Sequence, residues 1–142
     1  VQAAQYKRLK AIRHPLWVRA MAMQINSKKT KFFRWHDSGD IQDLKHLAKI
    51  FEVARRSPDV HHWLPTREAW TVKYQDRAPA NLKLIFSMPM VNQEAAGKFK
   101  YTSTVVTDPK KATCPAPKQG NECKSCRACW DKKIKNVAYL AH

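Results

Sequence analysis

Lys31-Phe32-Phe33-Arg34-Trp35-His36 runs directly into Asp37-Ser38-Gly39-Asp40, and this junction frames the rest of the chain. The first six residues are rich in aromatics, which suits a strand, and the next four are strong turn and helix-start residues. Asp40 is placed to cap a helix, with Asp43 adding favourable charge in its first turn. From Ile41 to Arg56 the residues Ile41, Leu44, Leu47, Ala48, Phe51 and Ala54 share one helical face, until Ser57-Pro58-Asp59 stops the run. Val60-His61-His62-Trp63-Leu64-Pro65-Thr66 reads as a second strand, opening at Thr66-Arg67-Glu68 into a helix that ends near Gln75. After Asp76-Arg77-Ala78-Pro79, Leu82-Lys83-Leu84-Ile85-Phe86-Ser87 reads as a third strand. The alternation is β-α-β-α-β. The expected fold class is therefore α/β, a small parallel unit whose right-handed crossovers bring the strand carboxyl ends to one edge.

Working outward, Gln2 to Ile12 places Ala3, Tyr6, Leu9 and Ile12 between basic residues, which predicts a short amphipathic helix. His14-Pro15 breaks it, and Pro15 suits the first position of a second helix from Leu16 to Ile25. Ser27-Lys28-Lys29-Thr30 is a polar connector. On the other side, Tyr101 to Thr107 predicts a fourth strand and Asn136 to Leu140 a short last one. Three parts are expected: N-terminal helices in a basic arm over 1–30, an α/β core over 31–109, and a four-cysteine metal-binding tail over 110–142.

The chain has 142 residues, and its hydrophobic content of 44% excludes general disorder. Runs such as Leu84-Ile85-Phe86 are too short to cross a bilayer. Val1 to Lys7 has no apolar central region of the kind a secretory leader needs, so a cytoplasmic location is expected. The formal net charge is +16. Its distribution is uneven. Lys7, Arg8, Lys10, Arg13, Arg19, Lys28, Lys29, Lys31 and Arg34 lie in the first 34 residues with no acid among them. The last 33 residues hold eight basic and two acidic side chains, leaving ten and nine between, so the excess is +9, +1 and +6 along the chain. Two basic ends around a neutral middle point to DNA or RNA ahead of an acidic partner or a membrane surface, and no membrane partner is expected. Lys7, Arg8, Lys10, Arg13, Arg19, Lys28, Lys29 and Lys31 are the candidate nucleic-acid contacts.

All four cysteines follow one pattern, Cys114-x8-Cys123-x2-Cys126-x2-Cys129. Gaps of two residues bring thiolates to a common centre, and four is the ligand number of a closed site. The other reading is a pair of disulfides, which needs an oxidising compartment. Zinc normally takes two knuckles of two-residue gap, whereas the Cys123-Cys126-Cys129 triple opens like a bacterial ferredoxin run. The spacing thus places [4Fe-4S] slightly ahead of zinc. Lys118, Lys124, Arg127, Lys132 and Lys133 would offset the thiolate charge, which gives part of the C-terminal basic excess a second explanation. His142 is a further candidate ligand.

At the strand ends, His36 and Asp37 are candidates for acid/base work, and Arg34 and Arg67 for clamping an anion. Ser38 or Thr66 would meet phosphate at a helix start. The plain alternative has Asp40 as a cap, Gly39 as the turn residue and His36 packed on Trp35. His61 and His62 face opposite sides of a strand and are not expected to share a ligand.

Arg34-Trp35-His36-Asp37-Ser38-Gly39-Asp40, the later Thr66-Arg67, and Cys114-Pro115-Ala116 with Cys123-x2-Cys126-x2-Cys129-Trp130 together resemble the gene product 88 family of phage and mobile-element proteins. The likeness covers most of the chain. Family members usually carry a further cysteine-rich segment upstream, so this chain resembles one truncated at its N-terminus. The strand-helix order is also loosely similar to radical-SAM half-barrels, although the Cys-x3-Cys-x2-Cys motif needed for radical chemistry does not occur in the sequence. The leading expectation is a phage-type, metal-stapled nucleic-acid-binding protein, with Phe32-Phe33-Arg34-Trp35 and Arg127-Ala128-Cys129-Trp130 interleaving aromatic and basic residues as stacking on unpaired bases requires. The alternatives are an enzyme, iron-sulfur or phosphate-processing, with its site around Arg34 to Asp40 and Thr66 to Glu68, and a structural or interaction protein.

Overall fold

The computed structural model describes residues 2–36 and 38–141. Helices α1 (Gln2–Ile12) and α2 (Trp17–Ser27) lead into strand β1 (Phe32–Arg34). Helix α3 (Leu44–Arg55), strand β2 (His61–Thr66), a 3-10 helix (Ala69–Arg77) and strand β3 (Leu82–Val91) follow. Strand β4 (Thr102–Val106), a short 3-10 helix (Ala116–Gln119) and strand β5 (Asn136–Leu140) complete the chain. The five strands form one sheet in the order β1-β2-β3-β4-β5, every neighbouring pair parallel. Sequential order in an all-parallel sheet is the topology of one half of an α/β barrel, and here the sheet is a curled half-barrel. The predicted alternation of strand and helix is confirmed, and β5 joins the same sheet.

Strand residues alternate between the two faces, so each face has its own core. On one, Leu64, Leu82 and Leu84 pack with Ala22 and Ile25 of α2 and Leu47, Ile50, Val53 and Ala54 of α3. On the other, Trp63, Ile85 and Val137 pack with Cys129. That second face is covered by the β4–β5 connection, which contains all four cysteines. A third cluster, Phe86, Met88 and Phe99, extends the helix side toward the carboxyl end of β3. Past Ser87 the register between β3 and β4 shifts, and Pro89 within that stretch has no N–H to donate to the ladder.

Several local expectations are corrected. The cap of α3 is Asp43, whose carboxylate accepts from the His46 backbone N–H at 2.7 Å, and not Asp40. The helix accordingly begins at Leu44, and of the expected stripe Leu44 and Ala48 are exposed while His46, Ile50 and Val53 are buried. Between Thr66 and Gln75 the chain forms a 3-10 helix starting at Ala69, pinned where the Thr71 hydroxyl donates to the Glu68 carbonyl at 2.7 Å. Helix α2 begins at Trp17, two residues after Pro15. No residue of α1 is buried, and Tyr6 is 70% exposed, so its apolar residues do not form a packed stripe. The Lys49 ammonium holds the end of α1 by donating to the Ile12 carbonyl. No helix among the described residues is long and apolar enough to cross a membrane.

Candidate functional site

The expected strand-end site is organised by Asp40, outside the role assigned to it. One carboxylate oxygen accepts from the Thr66 hydroxyl at 2.5 Å and the Ile41 N–H at 2.7 Å, and the other accepts from the Arg67 N–H at 2.7 Å. The Thr66 hydroxyl oxygen also accepts from the Glu68 N–H at 3.1 Å. Asp40 is therefore a clasp between the β1–α3 loop and the carboxyl end of β2. A clasp spanning 26 residues leaves no local signal, and only the parallel pairing of β1 and β2 brings its two halves together. Gly39 sits at φ 87°, the left-handed conformation this turn requires.

His36 also adopts a left-handed backbone, at φ 55°, and its Nδ1 is buried without a hydrogen-bond partner among the described residues. Its ring lies 6.2 Å from that of Trp35 and 5.6 Å from that of His46. Burial lowers its pKa, partly opposed by Asp40. The Arg34 guanidinium lies 4.8 Å over the Trp63 ring. Among the described residues, neither the Arg34 nor the Arg67 side chain makes a hydrogen bond or ion pair, with His36 or otherwise. Asp37, the expected partner of His36, and His142 lie outside the described residues.

The cysteine connection is built from the edge of the sheet inward. The N–H groups of Thr113 and Cys114 both donate to the Ala138 carbonyl, at 2.9 and 3.0 Å, and the Thr113 hydroxyl accepts from the Ala138 N–H at 2.8 Å. These bonds strap the start of the connection along the free edge of β5. A turn then closes where the Cys126 N–H donates to the Cys123 carbonyl at 2.8 Å. At the far end the Trp130 indole N–H donates to the Phe33 carbonyl of β1 at 3.0 Å, so the connection reaches across the sheet from β5 to β1.

Cys114, Cys123, Cys126 and Cys129 are all free thiols, and all four line one cavity of about 20 Å³ with Pro115, Ala128 and Val137 among its walls. As the thiols stand, no group of three or more His, Cys, Asp or Glu side chains among the described residues is disposed as a metal site. Cys129 is buried at the floor, with its sulfur 3.1 Å from the Tyr139 hydroxyl, while Cys123 is exposed at the mouth. Burial raises the pKa of Cys129, opposed by the Tyr139 hydrogen bond and reinforced by Cys114 and Cys123. Burial likewise raises the Tyr139 phenol, with Cys129 adding to the effect.

Below this turn lies a residue that motif reading passed over. Lys83, the second residue of β3, is 1% exposed, and its ammonium donates to the Ala128 carbonyl at 2.9 Å and the Asp131 carbonyl at 2.8 Å. Burial lowers its pKa to about 8, against the raising influence of Cys129 and Asp131. The available signal was a lone lysine inside the apolar run Leu82 to Phe86. Lys83→Met is expected to remove two charge-assisted hydrogen bonds and to cost about 3 kcal/mol, read as a lower urea midpoint at unchanged m-value.

The basic arm has a simpler geometry. Lys7, Arg8, Lys10, Arg13, Arg19, Lys28, Lys29 and Lys31 are all exposed. The ion pairs among the described residues are Arg55–Glu52, Arg56–Glu52 and Lys100–Asp76, so none of the eight is neutralised by an acidic side chain.

These features define a class: a sequentially ordered, all-parallel half-barrel with basic N-terminal helices and a four-cysteine connection across one face. The chain belongs to the gene product 88 family, whose model matches residues 1–132, as the resemblance of its motifs implied. No curated protein and no solved structure matches it.

Proposed function

We propose that this protein is a phage-type nucleic-acid-binding module, working in the cytoplasm, whose cysteine connection is stapled by a four-thiolate metal centre. The observation that carries the binding reading is the acid-free N-terminal arm, where eight cations are exposed together and none is paired among the described residues. Unpaired surface cations cost little to bring to a polyanion, because no internal ion pair has to be broken, and each phosphate they neutralise releases condensed counterions. The catalytic alternative has less support. Asp40 and Thr66 are engaged with each other, and among the described residues no hydrogen bond or ion pair joins Arg34, His36 and Arg67.

The metal reading rests on donor chemistry: four free thiols line one cavity, one of them buried, with the Ala128–Asp131 segment that carries Cys129 anchored by Lys83. Cys spacing favours [4Fe-4S]. A cavity of about 20 Å³ has room for a single ion, and a cluster would need the exposed Cys123 segment to swing outward.

Binding of fluorescently labelled 20-mer oligonucleotides, followed by anisotropy across a KCl series, tests the first reading. Affinity should fall linearly on a log-log plot, with a slope of about −0.9 per phosphate contact on duplex DNA. Reversing Lys7, Arg8, Lys10 and Arg13 to Glu together should weaken binding on the order of a hundredfold and flatten the slope. No binding at low salt, or affinity indifferent to salt, would remove the proposal.

A further inference from the structure

Between the C-terminal half of α2 and the edge of β1 lies an open groove of about 120 Å³. Its walls are apolar, formed mainly by Met21, Ile25, Phe32 and Phe33, and Gln24 and Lys28 stand exposed at its margin. The exposed Lys29 and Lys31 follow directly in the chain, and among the described residues no acidic side chain lines the groove. Its aromatic wall is Phe33, packed on the helix-side core and edge-on to Trp35 at 5.1 Å and His62 at 5.7 Å, while the Phe32 ring turns to the cysteine face of the strand. His61 stacks on the Phe32 ring at 5.4 Å with planes 21° apart, the Arg127 guanidinium sits 4.5 Å from its centroid, and Trp130 meets it edge-on at 5.5 Å. The two stretches that interleave aromatic and basic residues, one around Phe32 and one around Arg127, therefore meet on the cysteine face of β1, beside the groove.

A small apolar slot bordered by unpaired cations complements a flat, weakly polar body attached to a polyanion. An unpaired nucleobase has that chemistry, whereas a base inside a duplex is stacked and cannot enter. We propose that the groove takes an unpaired base of single-stranded nucleic acid, with Lys28, Lys29 and Lys31 on the flanking phosphates. This rests on the nucleic-acid reading above and narrows it to single strands. The pre-set aromatic wall means that little side-chain freedom is lost on binding.

The test compares a labelled dT20 single strand with a 20-mer duplex at equal salt, using wild type, Gln24→Trp, which fills the groove from an exposed helical position, and Phe33→Ala, which removes its aromatic wall. Wild type should prefer the single strand by about tenfold. Gln24→Trp should bring single-strand affinity to the duplex level while leaving duplex affinity unchanged, and Phe33→Ala should do the same if its melting temperature shows that it folds. A dT20 carrying 4-thiothymidine should photocrosslink to Met21, Phe32 or Phe33. Equal wild-type affinity for the two nucleic acids, an unchanged preference in Gln24→Trp, or crosslinks confined to α1 overturns the groove and leaves the nucleic-acid reading standing. If Gln24→Trp changes self-association and not oligonucleotide affinity, the groove is a protein contact and the proposal fails. Absence of salt-sensitive binding to either nucleic acid overturns both readings together.

Discussion

Cys129→Ser is expected to abolish metal binding and to loosen the β4–β5 connection from the sheet. Of the four thiols it is the buried one, set against Tyr139 and within the turn that Lys83 anchors. Its raised pKa means that the free protein keeps it protonated, so loading a cation must displace a proton, and retention of metal should weaken as pH falls. Structural zinc in small Cys sites contributes about 10–16 kcal/mol of apparent binding energy, most of it expressed as folding of the segment that carries the ligands. The serine hydroxyl is a far poorer ligand than a thiolate. The check is metal analysis with an anaerobic visible spectrum of wild type and variant, together with hydrogen exchange over residues 113–131. Iron with sulfide and a broad band at about 400 nm marks [4Fe-4S], and stoichiometric zinc without a band marks a mononuclear staple. Wild type free of both metals after anaerobic preparation, or a variant that retains its metal, sinks the reading.

The second large effect is a loss of stability in mild acid, carried by two buried histidines. His62 Nδ1 accepts from the Trp35 indole N–H at 3.1 Å. Its Nε2 lies 2.8 Å from the Ser57 hydroxyl, which itself donates to the Val53 carbonyl at 2.7 Å. The ring must therefore be neutral with its proton on Nε2, because a proton on Nδ1 would face the indole N–H. Burial lowers its pKa from 6.5 to about 4, with His61 adding to the shift. His46 falls to about 4 as well, mainly through burial and the neighbouring His36, while its Nδ1 accepts from the Gln42 N–H at 3.1 Å.

Above pH 6.5 both histidines are neutral whether the chain is folded or not, and their contribution is fully present. Below that the unfolded chain takes up protons first, so stability drains away until the folded forms titrate near pH 4. Each accounts for about 3 kcal/mol across the window. Urea midpoints at pH 7, 5.5 and 4 should fall in that order, and His62→Gln should show a shallower fall than wild type. Equal slopes in the two proteins would exclude His62 as a source.

The charge pattern and the cysteine motif were legible because they are local. So were the strands: β5 follows the expected bounds, and β1 to β4 differ from expectation mainly at their ends, where hydrogen-bonded partners decide how far a strand continues. The exchange of roles between Asp40 and Asp43 was not legible. Both are plausible caps in sequence, and the choice was made by Thr66 and Arg67, which reach Asp40 only once β2 lies beside β1. The exposure of α1 was hidden for a related reason. An amphipathic pattern shows that a helix can pack, but whether a surface lies opposite depends on where the turn that follows it sends the chain.

By itself, the sequence determined an α/β chain with parallel strands, a basic acid-free arm and four clustered thiols, since alternation, net charge and ligand spacing are properties of short stretches. Only the tertiary structure decided that the thiol-bearing connection bridges two strands across one face of the sheet, that Lys83 holds its turn from beneath, and that Phe32 and Arg127 meet beside a groove. Those relations depend on strand order and register, which place residues far apart in the chain within hydrogen-bonding or stacking distance.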